Sequence, residues 1–467
     1  MEKKTKIICT VAGNHCEVDF IRDLFESGMN VMRINSAHVT TEQAQQMVDN
    51  CRKVSDKIAI LIDTKGPEVR LTSMEGSIEV RTDEIIEIHD DNTKPCRPGH
   101  LYTTDPKLSK DIPLGADILI DDGLVDLQVI DKREGTLVCS VRNDGVLKGR
   151  KSVNVPNVNI ALPALTEKDK SFILWAIEAD IDFIAHSFVR SREDLIEIQK
   201  ILDEHNSPIK LISKIENQQG VDNLDSILSH CYGVMVARGD LGVEIPAELI
   251  PSIQRAIVRA CRERKKPVIV ATQMLQSMIE NPRPTRAEVT DVANAIYQGA
   301  DAIMLSGETA SGKYPVEAVQ TMKRIAIANE QNLGIDLELN LRKVVKPLSA
   351  VLARSLVSST TELPVKAIII DTITGRIGRY LSTFRPKIPI FAMCYQEHTM
   401  RELALVRGVY PMKFDRVKSK EEYVRNSTSM LIELGLISKG DLIGFIGGVY
   451  GEEGAAQSAT YLEFLEA

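Results

Sequence analysis

The sequence contains no apolar run long enough to cross a membrane. Its first residues, MEKKTKIICTVAG, lack the apolar centre and cleavage site of a secretory leader, so the expected location is the cytoplasm. Cysteine is sparse and scattered: there are eight, with no C-x-x-C, which excludes a disulfide scaffold and reads as reduced, packed thiols. Excess positive charge is also missing. The 57 Lys and Arg stand against 65 Asp and Glu, a net charge of −8. That balance argues against non-specific nucleic-acid binding, while leaving room for a local basic patch that takes a phosphorylated metabolite. Neither G-x-x-x-x-G-K-[ST] nor a glycine-rich kinase loop occurs, so a nucleotide has to be held by other means. No short-period repeat or low-complexity linker interrupts the chain.

What is present is a soluble, globular composition, 43% hydrophobic and 26% charged, over 467 residues. That length predicts two to four domains. Eight short apolar runs recur before residue 340: KIICTV, NVMRIN, KIAILID, IDFIAHSF, IKLISKI, YGVMVAR, PVIVATQ and DAIMLSG. Runs of this kind suit strands buried on both faces of a parallel sheet. Helical patterns follow most of them, with N-cap signals at Ser191 with Asp194 and at Thr285 with Glu288. The alternation predicts a (β/α)8 barrel built from 1–69 and 158–340. Between them, 70–157 carries period-two patterning with Gly and Asp turns. It reads as a small inserted antiparallel β domain, a β-barrel lid hinged at one corner of the main barrel. A second α/β pattern over 341–467 predicts a C-terminal open-sheet domain.

Barrel enzymes place catalytic groups at the C-terminal ends of their strands. Here the second run ends in Arg33 and Asn35, and the third in Asp63, Thr64 and Lys65, followed by Gly66, Glu68 and Arg70. The fifth ends in Lys214 and Glu216, the sixth in Arg238, Gly239 and Asp240, the seventh in Thr272 and Gln273, the eighth in Ser306 and Glu308. A lone Lys-x-Glu is usually a surface pair of little value. Lys214 and Glu216 instead share one face of a strand end and belong to a ring of charge. Glu216 and Asp240, on adjacent strands, are hard donors suited to Mg²⁺ or Mn²⁺, and no His/Cys cluster joins them to support zinc. Arg33, Lys65, Arg70 and Lys214 exceed what those carboxylates balance, so an anionic substrate bearing phosphate and carboxylate completes the set. Metal and fixed cations around a phosphoryl group suit phosphoryl transfer.

The stretches TKIICTV, GMNVMRIN, IDTKGPEVR, DDGL, LPALTEKD, DFIAHSFVR, ISKIEN, MVARGDLGVEIP, ATQMLQSMIENPRPTRAEVTDVANAI and DAIMLSGETASGKYP resemble pyruvate kinase over nearly the whole chain. The resemblance implies transfer of the phosphoryl group of phosphoenolpyruvate to ADP, giving pyruvate and ATP. It implies that Lys214 bridges the moving phosphoryl and stabilises the enolate, and that Glu216 and Asp240 hold the divalent metal. Gly239, Asp240 and Thr272 would take the substrate carboxylate, with Thr272 also on the proton path. Arg33 would bind the phosphoryl group. Asn35, His38, Arg70 and, from the lid, Lys151 would approach the nucleotide phosphates, and Asp122 would enter the cleft on lid closure. Asn35, Asp63 and Thr64 are implied K⁺ ligands, and the family habit is a homotetramer.

Four departures qualify the resemblance. RINSAHV puts Ala37 where the family has a serine that helps bind K⁺, so K⁺ activation is expected in weaker or altered form, with Ser36 or water supplying the oxygen. Glu68 matches the K⁺-dependent members. TVAGN alters the turn near the adenine, and NVPNV alters the return from the lid. DTITGRIGRYLSTFRP keeps a Thr-x-Thr-Gly turn that opens a helix. Thr372, Thr374, Gly375 and Arg376 are therefore candidates for a sugar-phosphate effector, beside the alternative of an ordinary helix start. The tail lacks the family's Gly-x-Thr-Asn ending. His186, Cys231 and Trp175 are expected only to pack. A catalytically silent ligand sensor and a metal-dependent keto-acid lyase are the competing readings. Retention of Lys214, Glu216 and Asp240 argues against the first; the lid, Lys151 and TKGPEVR argue against the second.

Overall fold

All eight apolar runs form strands in the computed structural model, which describes residues 3–448 and 461–467. They are Lys6–Val11, Val31–Asn35, Ala59–Asp63, Phe183–His186, Lys210–Ile215, Gly233–Ala237, Val268–Ala271 and Ala302–Leu305. The strands pair in parallel and the first bonds to both the second and the eighth, so the sheet closes into a barrel. Closure puts one side chain of each pair inside and the next against the helices. The interior is filled by Ile8, Leu61, Phe183, Ile212, Met235, Ile269 and Met304, with Ala59, Ala185, Ala271 and Ala302 making room beside the larger groups. The capping boxes at Thr285/Glu288 and Ser191/Asp194 form as expected, and two more stand at Thr40/Gln43 and Thr166/Asp169.

The insert curls a six-stranded sheet over its own apolar core, beside a two-stranded ribbon of Ser77–Val80 and Gly145–Lys148. One pair departs from the antiparallel expectation. Ile85–His89 runs parallel to His100–Tyr102, because the loop 90–99 crosses back before the chain re-enters the sheet.

The C-terminal sheet orders its strands Val409–Lys413, Ile390–Cys394, Val365–Thr372, Leu442–Gly447 and Tyr461–Glu466, the last antiparallel. The tail segment 449–460, where the family's ending is missing, lies outside the described residues. This domain grips the barrel at the N-terminal ends of its strands. Arg401 Nε donates to Asp182 Oδ1 at 2.6 Å, just before the fourth strand. Arg385 meets Asp301 at 3.0 Å, just before the eighth. Both pairs are buried. Ala404 and Leu405 complete the apolar floor of the barrel. The face opposite this floor is left to the lid, and there the strands deliver their polar residues.

Candidate active site

Lys214 is buried, yet it is surrounded by carboxylates. Its ammonium lies 3.0 Å from Asp63 Oδ1 and 2.9 Å from Glu216 Oε1, and donates to Ser187 Oγ at 2.7 Å. Burial opposes its charge, but Asp63, Glu216 and Asp240 together hold the ammonium well above the usual lysine range. Asp63 is shared: Arg33 contacts its other oxygen, with Nη2 at 2.6 Å and Nε at 2.8 Å. Burial works against the Asp63 charge too, and Lys214 with Arg33 still keeps the carboxyl below the ordinary range.

Glu216 and Asp240 behave in the opposite way. Burial pushes Glu216 up to about 7, and the Asp240 charge adds to the rise. Burial also raises Asp240, with Asp122 and Asp63 contributing. Two cations, Arg33 and Lys214, thus face three carboxylates, Asp63, Glu216 and Asp240, and both cations lean on Asp63. The Glu216–Asp240 side is left under-neutralised.

The positions of these groups are fixed by backbone beneath them. Phe188 N donates to Glu216 Oε2 at 2.6 Å. Ser187 Oγ donates to Thr64 O at 2.7 Å while receiving Lys214. Gly66, at φ +69°, packs so closely that a Cβ there would lie 2.8 Å from Ser187 Cβ. Thr272 has φ +67° and Gln273 φ +52°. A left-handed β-branched residue is a strained exception, held only where its surroundings over-determine it. Thr272 Oγ1 accepts from Gly239 N at 2.8 Å and donates to Ala271 O at 2.6 Å, which locks the sixth and seventh strand ends together.

Two adjoining cavities open between the barrel mouth and the lid. One, of about 670 Å³, has Arg33, Asn35, His38, Lys214 and Glu216 in its wall. The other, of about 610 Å³, has Asp121, Asp122, Lys151 and Glu244. Glu68, Arg70, Phe188 and Asp240 line both. Lys151 pairs with Asp121 at 2.9 Å, Asp122 accepts from Ser152 Oγ at 3.0 Å, and Arg70 pairs with Glu68 at 2.6 Å. Of the residues expected near the nucleotide, Asn35, His38 and Arg70 therefore share a cavity with Lys214, whereas Lys151 lies across Arg70 in the neighbouring one.

The chain matches the family model for the pyruvate kinase barrel domain over residues 2–319, and that for the pyruvate kinase alpha/beta domain over 350–459. A pyruvate kinase of Borreliella burgdorferi is 44% identical over 452 residues, covering 96% of this chain and 94% of its own. One of Geobacillus stearothermophilus is 44% identical over 466 residues, covering 97% and 79%. The chain belongs to the pyruvate kinase family. A solved pyruvate kinase from Cryptosporidium parvum superposes with a TM-score of 0.93 at 34% identity, covering 99% of this chain and 96% of that one. As a pyruvate kinase, the chain is a phosphotransferase acting on phosphoenolpyruvate and ADP.

Ser187 and Phe188 are the site residues that sequence reasoning passed over. Their signal was present: they follow the fourth strand directly, where that strand's catalytic end has to be. Glu308, counted in the ring, turns inward, accepting from Leu275 N at 3.0 Å and Ser306 N at 2.8 Å. Arg238 pairs with Asp291 at 2.6 Å and donates to Thr272 O at 2.7 Å, so it supports the seventh strand end from behind. In the C-terminal domain, Thr372 Oγ1 accepts from Gly375 N at 2.9 Å, and Gly375 caps the helix Arg376–Thr383 at φ +66°. One backbone donor of that turn is thereby occupied. Thr374 and Arg376 line a separate cavity of about 720 Å³ between the C-terminal domain and the barrel. His186, Cys231 and Trp175 sit in packed positions, Trp175 donating from Nε1 to Gln45 at 3.1 Å.

Proposed function

We propose that this pyruvate kinase transfers the phosphoryl group of phosphoenolpyruvate to ADP through Lys214, which faces both the transferring phosphoryl and the enolate oxygen left behind. The observation that carries this reading is a buried ammonium kept charged between Asp63 and Glu216 at the edge of an under-neutralised carboxylate pair. An enolate leaves readily only when its developing charge meets a fixed cation, and a preorganised ammonium in a water-poor site does this without reorganisation. Arg33, anchored by Asp63, receives the phosphoryl group as a planar fork. Gly239, Asp240 and Thr272 receive the substrate carboxylate. Thr272 Oγ1, already hydrogen-bonded in its strained turn, stands on the route by which a proton reaches the enolate carbon. Asn35, His38, Arg70 and Lys151 take the nucleotide phosphates, and Asp122 closes over them with the lid.

Glu216 and Asp240 fit a divalent cation such as Mg²⁺ or Mn²⁺. Glu216 is buried and Asp240 half-buried, and desolvation drives both oxygen donors toward protonation, a state that a dication reverses. When bound, such an ion supplies Lewis-acid stabilisation of phosphoryl and enolate oxygens. The K⁺ donors are fitted less simply. Asn35 Oδ1 accepts from Ala37 N at 3.0 Å, Asp63 is committed to Arg33 and Lys214, and Thr64 Oγ1 lies 3.2 Å from His186. Ser36 Oγ, by contrast, is fully buried with no hydrogen-bond partner among the described residues. On this reading Ser36 supplies the hydroxyl that Ala37 lacks. A cytoplasmic homotetramer with a sugar-phosphate effector at Thr372, Thr374, Gly375 and Arg376 completes the reading. Among the described residues, no helix is long and apolar enough to cross a membrane.

The test is ATP formation from phosphoenolpyruvate and ADP in wild type and Lys214→Met. Turnover lost in a variant that still binds phosphoenolpyruvate places the lysine in the transition state. Turnover retained within tenfold would refute it.

A further inference from the structure

The parallel strand pair of the lid brings together three ligand-type side chains that the catalytic site does not use. Glu87 and His89 are two residues apart on Ile85–His89, so they share a face. His100 begins the neighbouring strand, in register with Glu87. His89 Nε2 lies 3.0 Å from His100 Nδ1. Glu87 Oε2 lies 3.6 Å from His89 Nε2 and 3.4 Å from His100 Nδ1. The three lone-pair atoms form a small triangle, and a single proton can serve only one of its sides. One metal ion serves all three. With bonds of about 2.0–2.2 Å to imidazole and carboxylate, tetrahedral or octahedral coordination separates neighbouring ligand atoms by roughly 2.8–3.6 Å. The observed triangle fits that spacing.

The surroundings orient the ligands as well. His89 Nδ1 is 3.1 Å from Thr136 Oγ1, which leaves Nε2 to face the triangle. The His89 ring stacks on Tyr102 with centroids 4.9 Å apart. Arg133 donates to Glu87 Oε1 at 3.1 Å, holding the oxygen that does not face the triangle. All three ligand residues are only partly buried, so an ion has access.

We propose that Glu87, His89 and His100 form a second metal site in this protein, with two imidazoles and one carboxylate selecting a borderline ion such as Zn²⁺ over Mg²⁺ or Ca²⁺. Its place gives it a structural consequence. His89 and His100 are the two ends of the loop 90–99, and Asn92, Thr93 and Lys94 of that loop line the catalytic cavity. An ion at the neck ties the loop that forms one wall of the cleft.

The test is Co²⁺ titration of the full-length, metal-stripped chain with Mg²⁺ in excess to occupy Glu216 and Asp240. The expected result is one equivalent per chain with visible d–d absorption, displaced by Zn²⁺, and slower amide exchange over 90–99. His100→Ala loses that equivalent while keeping turnover in Mg²⁺ alone, without Co²⁺ or Zn²⁺, within twofold. His100→Cys keeps the equivalent and adds a thiolate-to-metal charge-transfer band, which excludes a merely unfolded lid. Thr136→Val weakens binding by about tenfold, as loss of an orienting partner does. Absence of the d–d band in wild type, or an unchanged band in His100→Ala, overturns the proposal.

Discussion

Gly66 is the backbone position on which both halves of the charge cluster rest, so Gly66→Ala tests the arrangement with a single methyl group. Its Cβ would stand 2.8 Å from Ser187 Cβ, 3.0 Å from Phe188 Cδ2 and 3.2 Å from Ser187 O. Ser187 receives the Lys214 ammonium and Phe188 N holds Glu216. The overlap is not easily absorbed, because Ser187 Cβ and Ser187 O are held directly by the backbone that follows the fourth strand. The left-handed φ of +69° adds about 1–2 kcal/mol of its own for a residue with a Cβ. Overpacking adds roughly 1–3 kcal/mol, so the variant should lose about 2–5 kcal/mol of barrel stability. Catalysis should suffer separately. A misplacement of about 1 Å costs on the order of a hundredfold, and half that displacement of Lys214 and Glu216 suggests about a tenfold fall in kcat. Gly76→Ala is the matched control: it has the same φ of +69°, with nothing within 4 Å of its Cβ. It should show backbone strain alone and normal kcat. Urea unfolding and a coupled pyruvate assay on both variants decide the matter. A folded Gly66→Ala enzyme with kcat within twofold of wild type would refute the view that this glycine sets the positions of Lys214 and Glu216.

Other outcomes follow from the same geometry. Burial pulls the His186 ring down from 6.5 to about 4, so its neutral form belongs to the folded state. Stability is fully present above pH 6.5 and falls by roughly 3 kcal/mol as pH drops toward 4. His186→Gln should flatten that part of the urea midpoint against pH, and an unchanged slope counts against it. Replacing the Ser36 hydroxyl, which has no partner among the described residues, by Ala should leave stability unchanged or slightly improved. The same Ser36→Ala change should raise the K⁺ concentration for half-maximal activity several-fold; an unmoved K⁺ profile removes Ser36 from the cation site. Arg401→Leu strips Asp182 of its closest cation, Arg401 Nε at 2.6 Å, leaving Arg52 at 3.3 Å. It should destabilise the chain by about 3–5 kcal/mol with kcat nearly intact, since this pair lies at the end of the barrel opposite the chemistry. A kcat loss matching the stability loss would contradict that separation.

The barrel was legible because its signal is local. Each run of buried β-branched and aliphatic residues is short, bounded by polar residues and followed by a helical pattern, and fully buried parallel strands need nothing else. The ring of strand-end charges was legible for the same reason, since the fold dictates which end faces the lid. What the sequence could not show was how charge divides within the ring. Lys214 and Glu216 are two residues apart, and their spacing suggests a simple pair. In space Asp63, contributed from the third strand, takes Arg33 and a share of Lys214, and this sharing leaves Glu216 short of positive charge. That imbalance exists only once strands far apart in the chain are closed into a barrel. The lid histidines make the same point. His89 and His100 are separated by the loop 90–99, and the sequence does not say which residue of one strand stands opposite which of the other. The parallel pairing puts His100 beside Glu87 and makes three unremarkable residues a set of ligands. Register, rather than residue identity, creates that site. A slip of one residue between these two strands would turn His100 to the opposite face, away from Glu87 and His89.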